Sequence, residues 1–328
     1  MAHNVYEIGD GHSMGYVGDK PWHGLGQEVD ADAPLEVWAK EAHLDWTVDM
    51  ADVQFTPNGF DATTIMDTRK VIYRTDTGMP LSVVSHLYKP VQPTEVLEFF
   101  RDLIDSHGFR MNTAGSVRDG KRVWALAEIG KEMTIMGQDK VKGFLLLGTS
   151  YDTSLATTAM FTSVRVVCDN TLQWAYNADS KGDGAVKVPH FSVFDAEQVQ
   201  FDLGIVGKSW ERFEEQAQEM ARRKVTEQEA VKFFMNILHK DSNEDDYSDV
   251  SSKQLTKLML INSSAVGQNL RSADGTAWGL VNAVTRYVDH EKGERIEGNR
   301  LDQAWFGFGA KLKEKAWAMA DDMISIAA

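Results

Sequence analysis

From about residue 30 to residue 190 the apolar positions fall in short strand-like runs, and beyond about residue 192 they recur in steps of three and four. The first pattern predicts β-structure and the second helix, because side chains alternate every second residue along a strand and return to one helix face about every 3.6 residues. Asp32 offers an N-cap, with Pro34 in the first turn, for a helix carrying Leu35, Trp38, Ala39 and Ala42. Val71-Ile72-Tyr73-Arg74 and Leu81-Ser82-Val83-Val84 flank the turn-forming Thr75-Asp76-Thr77-Gly78, which predicts a hairpin. Pro93 opens a helix with Val96, Leu97, Phe99, Phe100, Leu103 and Ile104. Arg118-Asp119-Gly120-Lys121 then separates Met111 to Val117 from Arg122 to Ile129, and an Asp-Gly pair between two strand-like runs is a strong hairpin signal. Further strands are expected at Gly143 to Thr149 and Leu155 to Phe161.

In the second regime Val199, Leu203, Val206, Trp210, Phe213, Ala217 and Met220 predict one long amphipathic helix, whose aromatic stripe invites self-association. Thr226-Glu227-Gln228-Glu229 is a capping box for a helix with Val231, Phe234, Met235 and Leu238. The acidic run from Asp241 to Asp249 reads as a solvated loop, and Ser251-Ser252-Lys253-Gln254 is a second capping-box candidate before Leu255, Leu258, Met259 and Ile261. Two last helices carry Trp278, Val281, Val284 and Tyr287, then Trp305, Leu312 and Ala316. The expected fold class is α+β: an antiparallel sheet of β-hairpins with helices packed on one face, followed by a mostly helical C-terminal region. The expected division is an N-terminal arm over 1–30, a sheet domain over 31–191 and a helical region over 192–328.

Composition adds limits. With 43% hydrophobic residues, nine Trp and fifteen Phe, the chain has ample material for a core. The single cysteine, Cys168, excludes an internal disulfide framework and a cysteine-based zinc site, and its apolar neighbours Val166 and Val167 mark it as a small buried hydrophobe. The first thirty residues lack the basic-then-apolar pattern of a signal peptide, and no apolar stretch approaches the roughly 20 residues that span a bilayer, so the expected setting is the cytoplasm of a bacterial host, with no membrane contact. A net charge of −15 opposes indiscriminate nucleic-acid binding, which draws its affinity from cations at phosphates. The segment 110–142 is locally richer in cations, with Arg110, Arg118, Lys121, Arg122, Lys131, Lys140 and Lys142 against Asp119, Glu128, Glu132 and Asp139.

No phosphate loop, strand-to-helix Gly-x-Gly-x-x-Gly, His-Glu-x-x-His or paired Cys-x-x-Cys occurs, so no catalytic residue, cofactor or metal is expected. Asp289-His290-Glu291 has ligand chemistry, but successive helical residues point about 100° apart, so the three read as a helix-end cluster. Arg165 sits in an apolar run where an unpaired charge is costly; it needs a salt bridge, to Asp169 or Asp152, or a phosphate or interface contact. Asp169-Asn170-Thr171 reads as a strand-ending turn.

Five separated segments in order carry a resemblance: Trp22-His23-Gly24-Leu25-Gly26, Ser163 to Leu172, Gly275-Thr276-Ala277-Trp278-Gly279, Tyr287-Val288-Asp289-His290 and Trp305-Phe306-Gly307. They resemble the phage and plasmid protein family classed as a domain of unknown function, DUF932, a name that carries no activity. The order of hairpin, helix and sheet, followed by helices, is also remotely similar in topology to phage-type single-strand annealing proteins. That similarity implies a homo-oligomeric protein that binds or anneals single-stranded DNA in phage or plasmid recombination. On this reading Arg118, Lys121, Arg122 and Arg165 contact phosphates, and Tyr151 and Trp174 are stacking surfaces. The alternative is an acidic, non-enzymatic interaction protein of a mobile element that binds a host or phage protein, which the −15 charge favours.

Overall fold

A computed structural model describes residues 5, 7–8, 11–18, 21, 24–167, 170–173, 185–202, 207–239, 247–292 and 300–325. The strands are β1 (Glu7–Ile8), β2 (Gly11–His12), β3 (Met14–Tyr16), β4 (Gln27–Glu28), β5 (Val48–Phe55), β6 (Thr64–Arg74), β7 (Pro80–Ser85), β8 (Arg110–Val117), β9 (Arg122–Ile135), β10 (Asp139–Ser150), β11 (Thr157–Arg165), β12 (Asn170–Gln173) and β13 (Ala185–Val188). The helices are α1 (Leu35–Glu41), α2 (Pro93–Glu98), α3 (Arg101–His107), α4 (Ala196–Asp202), α5 (Gly207–Arg222), α6 (Glu227–Leu238), α7 (Ser252–Ser264), α8 (Ala277–Arg286), α9 (Arg300–Phe306) and α10 (Phe308–Ser325), with a π-helical turn, Tyr287–Glu291, between α8 and α9. The fold is α+β, with most of its helix in the C-terminal half.

The main sheet runs β12-β11-β10-β9-β8-β3-β4, with β13 also pairing β11. Its long strands form an antiparallel meander, and only β3 and β4 are parallel. Along β9, Val123, Ala125, Ala127 and Ile129 enter the major core, while Trp124 and Leu126 enter a second cluster on the opposite face. Helices on one face alone would leave Trp124, Leu126, Phe144 and Leu146 wet. Instead, Val5 and Leu25 from the N-terminal segment, with Trp305 and Phe306 from α9, cover that face as well, so the expectation of a one-sided sheet is corrected. Burial on both faces also explains why the strands read as nearly continuous apolar runs. The major core extends without a break from Val29 to Ala320, so sheet and helical regions share it.

Turn and cap chemistry places most elements near their expected positions. The hairpins at Thr75–Gly78 and Arg118–Lys121 form as β6–β7 and β8–β9. The Thr226 capping box is present, with Glu229 N–H donating to Thr226 Oγ1 (3.3 Å) and Thr226 N–H to Glu229 Oε2 (2.8 Å). Ser251 is the N-cap of α7, but its side chain makes no cap hydrogen bond, so the second box is not formed. Pro34, not Asp32, occupies the N-cap of α1. The helix begun at Pro93 breaks at Phe99–Phe100 into α2 and α3.

The expected long helix over Val199 to Met220 is found as α4 and α5, with Leu203 and Val206 outside the described residues. Its aromatic stripe faces inward. Trp210 lies over Gly143, where a Cβ would fall 2.6 Å from the indole, and Phe213 stacks on Trp317 at 5.1 Å. Among the described residues of the stripe, Val199, Trp210, Phe213, Ala217 and Met220 are buried within the chain. Among the described residues no helix is long and apolar enough to cross a membrane.

Candidate functional site

Arg165, the last residue of β11, is 2% exposed and faces the protein interior. Its Nε and Nη2 donate to Asp139 Oδ1 and Oδ2, both at 2.7 Å, and Nη2 also donates to the Gly267 carbonyl at 2.8 Å. Ser272 Oγ (2.7 Å) and Trp278 Nε1 (3.0 Å) complete the donors to Asp139 Oδ2. The salt bridge expected for Arg165 is present, but its partner is Asp139, not Asp169 or Asp152. Bidentate geometry with added hydrogen bonds is what makes a buried pair tolerable. The arrangement locks the open end of the β10–β11 ladder to the loop before α8, and it leaves Arg165 no face for a phosphate.

The β8–β9 hairpin tip divides its cations between inside and outside. Arg118, Asp119 and Gly120 all take left-handed backbone (φ 56°, 58° and 82°), an unusual demand on the first two. Arg118 remains partly exposed and lies 3.7 Å from Asp152, and Lys121 is half-buried. Arg122 does not join them. It is 4% exposed, donates to Ser154 Oγ at 2.7 Å, and places its guanidinium 5.5 Å from the Phe306 ring. Burial, aided by the neighbouring Arg118 charge, pulls the Arg122 pKa down to about 10, against the opposing pull of Asp152. An arginine held in this way supports the second face of the sheet and is not a phosphate contact. Tyr151 is likewise corrected: it is fully buried, with its hydroxyl donating to the Val91 carbonyl at 2.9 Å, so it presents no stacking surface. Trp174, Trp22, His23 and Cys168 lie outside the described residues.

The cation-rich segment also loses much of its free charge to pairing. Lys142 lies 3.1 Å from Glu128 and Lys140 3.8 Å from Glu132, alongside the Arg118–Asp152 contact.

Behind the tip, His190 stacks on Tyr88 at 4.4 Å and donates from Nε2 to the Leu155 carbonyl at 2.8 Å. Burial holds its pKa below the ordinary 6.5. The unfolded chain therefore takes up a proton near pH 6.5 that the folded chain refuses until lower pH, so stability should fall as pH drops below about 6.5. Melting temperatures from pH 7.5 to 5.5 should fall less steeply for His190→Gln than for the unmutated protein.

The outer part of the β5–β6 hairpin, here termed the arm, is exposed. β7 pairs β6 only from Arg69 to Tyr73, and from Thr64 to Arg69 every residue is exposed. Beyond a bulge between Asp52 and Gln54, the pairs Gln54–Ile65 and Phe55–Thr64 close the ladder. The tip turns at Pro57-Asn58-Gly59-Phe60, with Phe60 N–H donating to Pro57 O (3.1 Å) and Gly59 supplying the positive φ of 84° that this turn requires. Phe55, Phe60, Ile65 and Met66 are 47%, 68%, 49% and 41% exposed. Residues 48–68 hold Asp49, Asp52, Asp61 and Asp67 and no lysine or arginine. The sequence pattern predicts the inner end of β6, Val71 to Arg74, in its hairpin with β7, but neither β5 nor the arm. Pro57-Asn58-Gly59 was the available signal, but the flanking strands lack apolar–polar alternation because neither face is buried.

Asp289, His290 and Glu291 form the π-helical turn after α8 and diverge as expected: Asp289 pairs with Lys313 at 2.9 Å and Glu291 with Lys257 at 2.9 Å. Among the described residues no group of three or more His, Cys, Asp or Glu is placed to hold a metal ion.

Residues 80–305 match the family described as a domain of unknown function (DUF932). The arm precedes the matched segment. No curated protein and no solved structure matches the chain.

Proposed function

The chain belongs to the DUF932 family, whose description assigns no activity, and from its own geometry we propose that it is a non-enzymatic interaction protein of a phage or plasmid, binding another protein through the β5–β6 arm. The observation that carries this reading is the exposure of Phe55, Phe60, Ile65 and Met66, spread over both faces of an acidic hairpin that stands clear of the core. Exposed apolar surface rimmed by polar residues is costly to keep in water and is the usual mark of a protein contact. The arm also ends in an edge strand, since β5 has a neighbour on one side only. Asp49, Asp52 and the bulge discourage indiscriminate pairing there. Single-stranded DNA binding has less support, because Arg122, Arg165 and Tyr151 face inward and the net charge is −15.

Anisotropy of a labelled single strand, measured across salt concentrations, separates the two readings. Binding no stronger than nonspecific is expected, and replacing Phe55, Phe60 and Ile65 with Ser should leave melting unchanged, since exposed substitutions stay within about 0.5 kcal/mol. Tight binding would overturn the proposal if Arg118→Ala with Lys121→Ala flattened its log-affinity against log-salt slope by about 1.4, the mark of two lost phosphate contacts.

A further inference from the structure

α6 and α10, with Arg223 just after α5, line an open groove of about 500 Å³. Its apolar lining is Phe233, Met319 and Met323, and its charged members are Arg223, Glu229 and Lys232. Lys315 on α10 donates to the carbonyls of Asn236 and His239 at the end of α6, which ties the two walls together. Met319 and Met323 lie one helical turn apart, and methionine adapts to irregular apolar partners. Arg223 and Glu229 pair with each other (2.5 Å), so the exposed Lys232 leaves the lining with net positive charge. On a chain of net charge −15, a cationic groove with an apolar lining has a specific complement, and the same chain carries it. The arm tip places Phe60, 68% exposed, next to Asp61 at the turn, within a segment that holds four aspartates and no cation.

Resting on the reading of the arm as an interaction element, we infer that this groove receives the arm tip of a second copy of the chain, Phe60 entering among Phe233, Met319 and Met323 while Asp61 meets Lys232. The groove is within the roughly 300–1,000 Å³ range of clefts that seat compact apolar bodies, ample for one benzyl group and its flanking residues. The contact joins two different surfaces, so it is heterologous and continues from copy to copy until a ring closes.

Sedimentation velocity over a concentration series tests this. The unmutated protein should form species beyond two chains of 36.7 kDa. Phe60→Ala and Lys232→Glu should each weaken association about tenfold or more, as loss of a central anchor does. Both positions are exposed, so circular dichroism melts should not move, and Asp61→Asn serves as a second arm variant. Mixing the Phe60→Ala and Lys232→Glu proteins leaves one intact arm and one intact groove per pair, so a species of two chains should return and grow no further. A monomer at every concentration, association untouched by either variant, or a mixture that restores nothing would overturn the inference. If the protein is monomeric yet position 60 contacts a different polypeptide in cells, the inference fails while the interaction role stands.

Discussion

Asp139→Ala should cost about 3–5 kcal/mol of stability, because it strips a buried arginine of its carboxylate. Asp139 accepts from Arg165 through both carboxylate oxygens, and from Ser272 and Trp278 through Oδ2. Arg165 is 2% exposed and cannot turn to water without opening the end of β11. The same donors join three stretches far apart in the chain, so the loss should loosen the docking of α8 on the sheet as well as the ion pair. Arg165→Met should be milder than Asp139→Ala, since methionine suits the apolar surroundings, though it still leaves a buried carboxylate. A double Asp139→Leu, Arg165→Met protein should be destabilised by less than the sum of the single changes, because a pair removed whole leaves no charge behind. Urea midpoints for the three proteins check this, and additive losses would show that the two side chains act independently.

Asp289→Ala should produce a loss of similar size, about 3–5 kcal/mol, beyond the opposite end of α8. Lys313 on α10 is completely buried, and its ammonium lies 2.9 Å from Asp289 Oδ1 in the π-helical turn. Within that turn Asp289 meets α10, while Glu291 pairs with Lys257 on α7. Lys313→Met should cost less, because the long aliphatic stem is replaced by an apolar chain of similar reach in a packed environment. Thermal unfolding should therefore rank Asp289→Ala below Lys313→Met; the reverse order would mean that the stem's packing, and not the charge, holds α10 in place.

The hairpins were legible because their signals are local. Thr75–Gly78 and Arg118–Lys121 carry turn chemistry between strand-forming runs, and those turns formed where expected. Arg165's need for a partner was legible too, since an apolar strand makes an unpaired charge costly. The partner's identity was not, because Asp139 lies across a ladder and Ser272 and Trp278 are more than a hundred residues away in sequence. Arg122 illustrates a signal that was present: counting by two from Trp124 and Leu126 places it on their face of β9, which is an apolar face once α9 covers it. That covering depends on the two ends of the chain, so strand periodicity alone implied a free face. The arm was missed for the opposite reason. A hairpin exposed on both faces has no core to impose alternation, and its apolar residues at Phe55, Phe60, Ile65 and Met66 follow no two-residue rhythm.

The proposal that this is an interaction protein working through its arm is tested most directly by photo-crosslinking in living cells with p-benzoylphenylalanine in place of Phe60. The comparison is the same probe in place of Lys89, which is exposed but off the arm. The expected result is a discrete adduct between this chain and a polypeptide, identified by mass spectrometry, formed from position 60 and weak or missing from position 89. No protein adduct from position 60, or adducts to single-stranded nucleic acid in its place, would contradict the account.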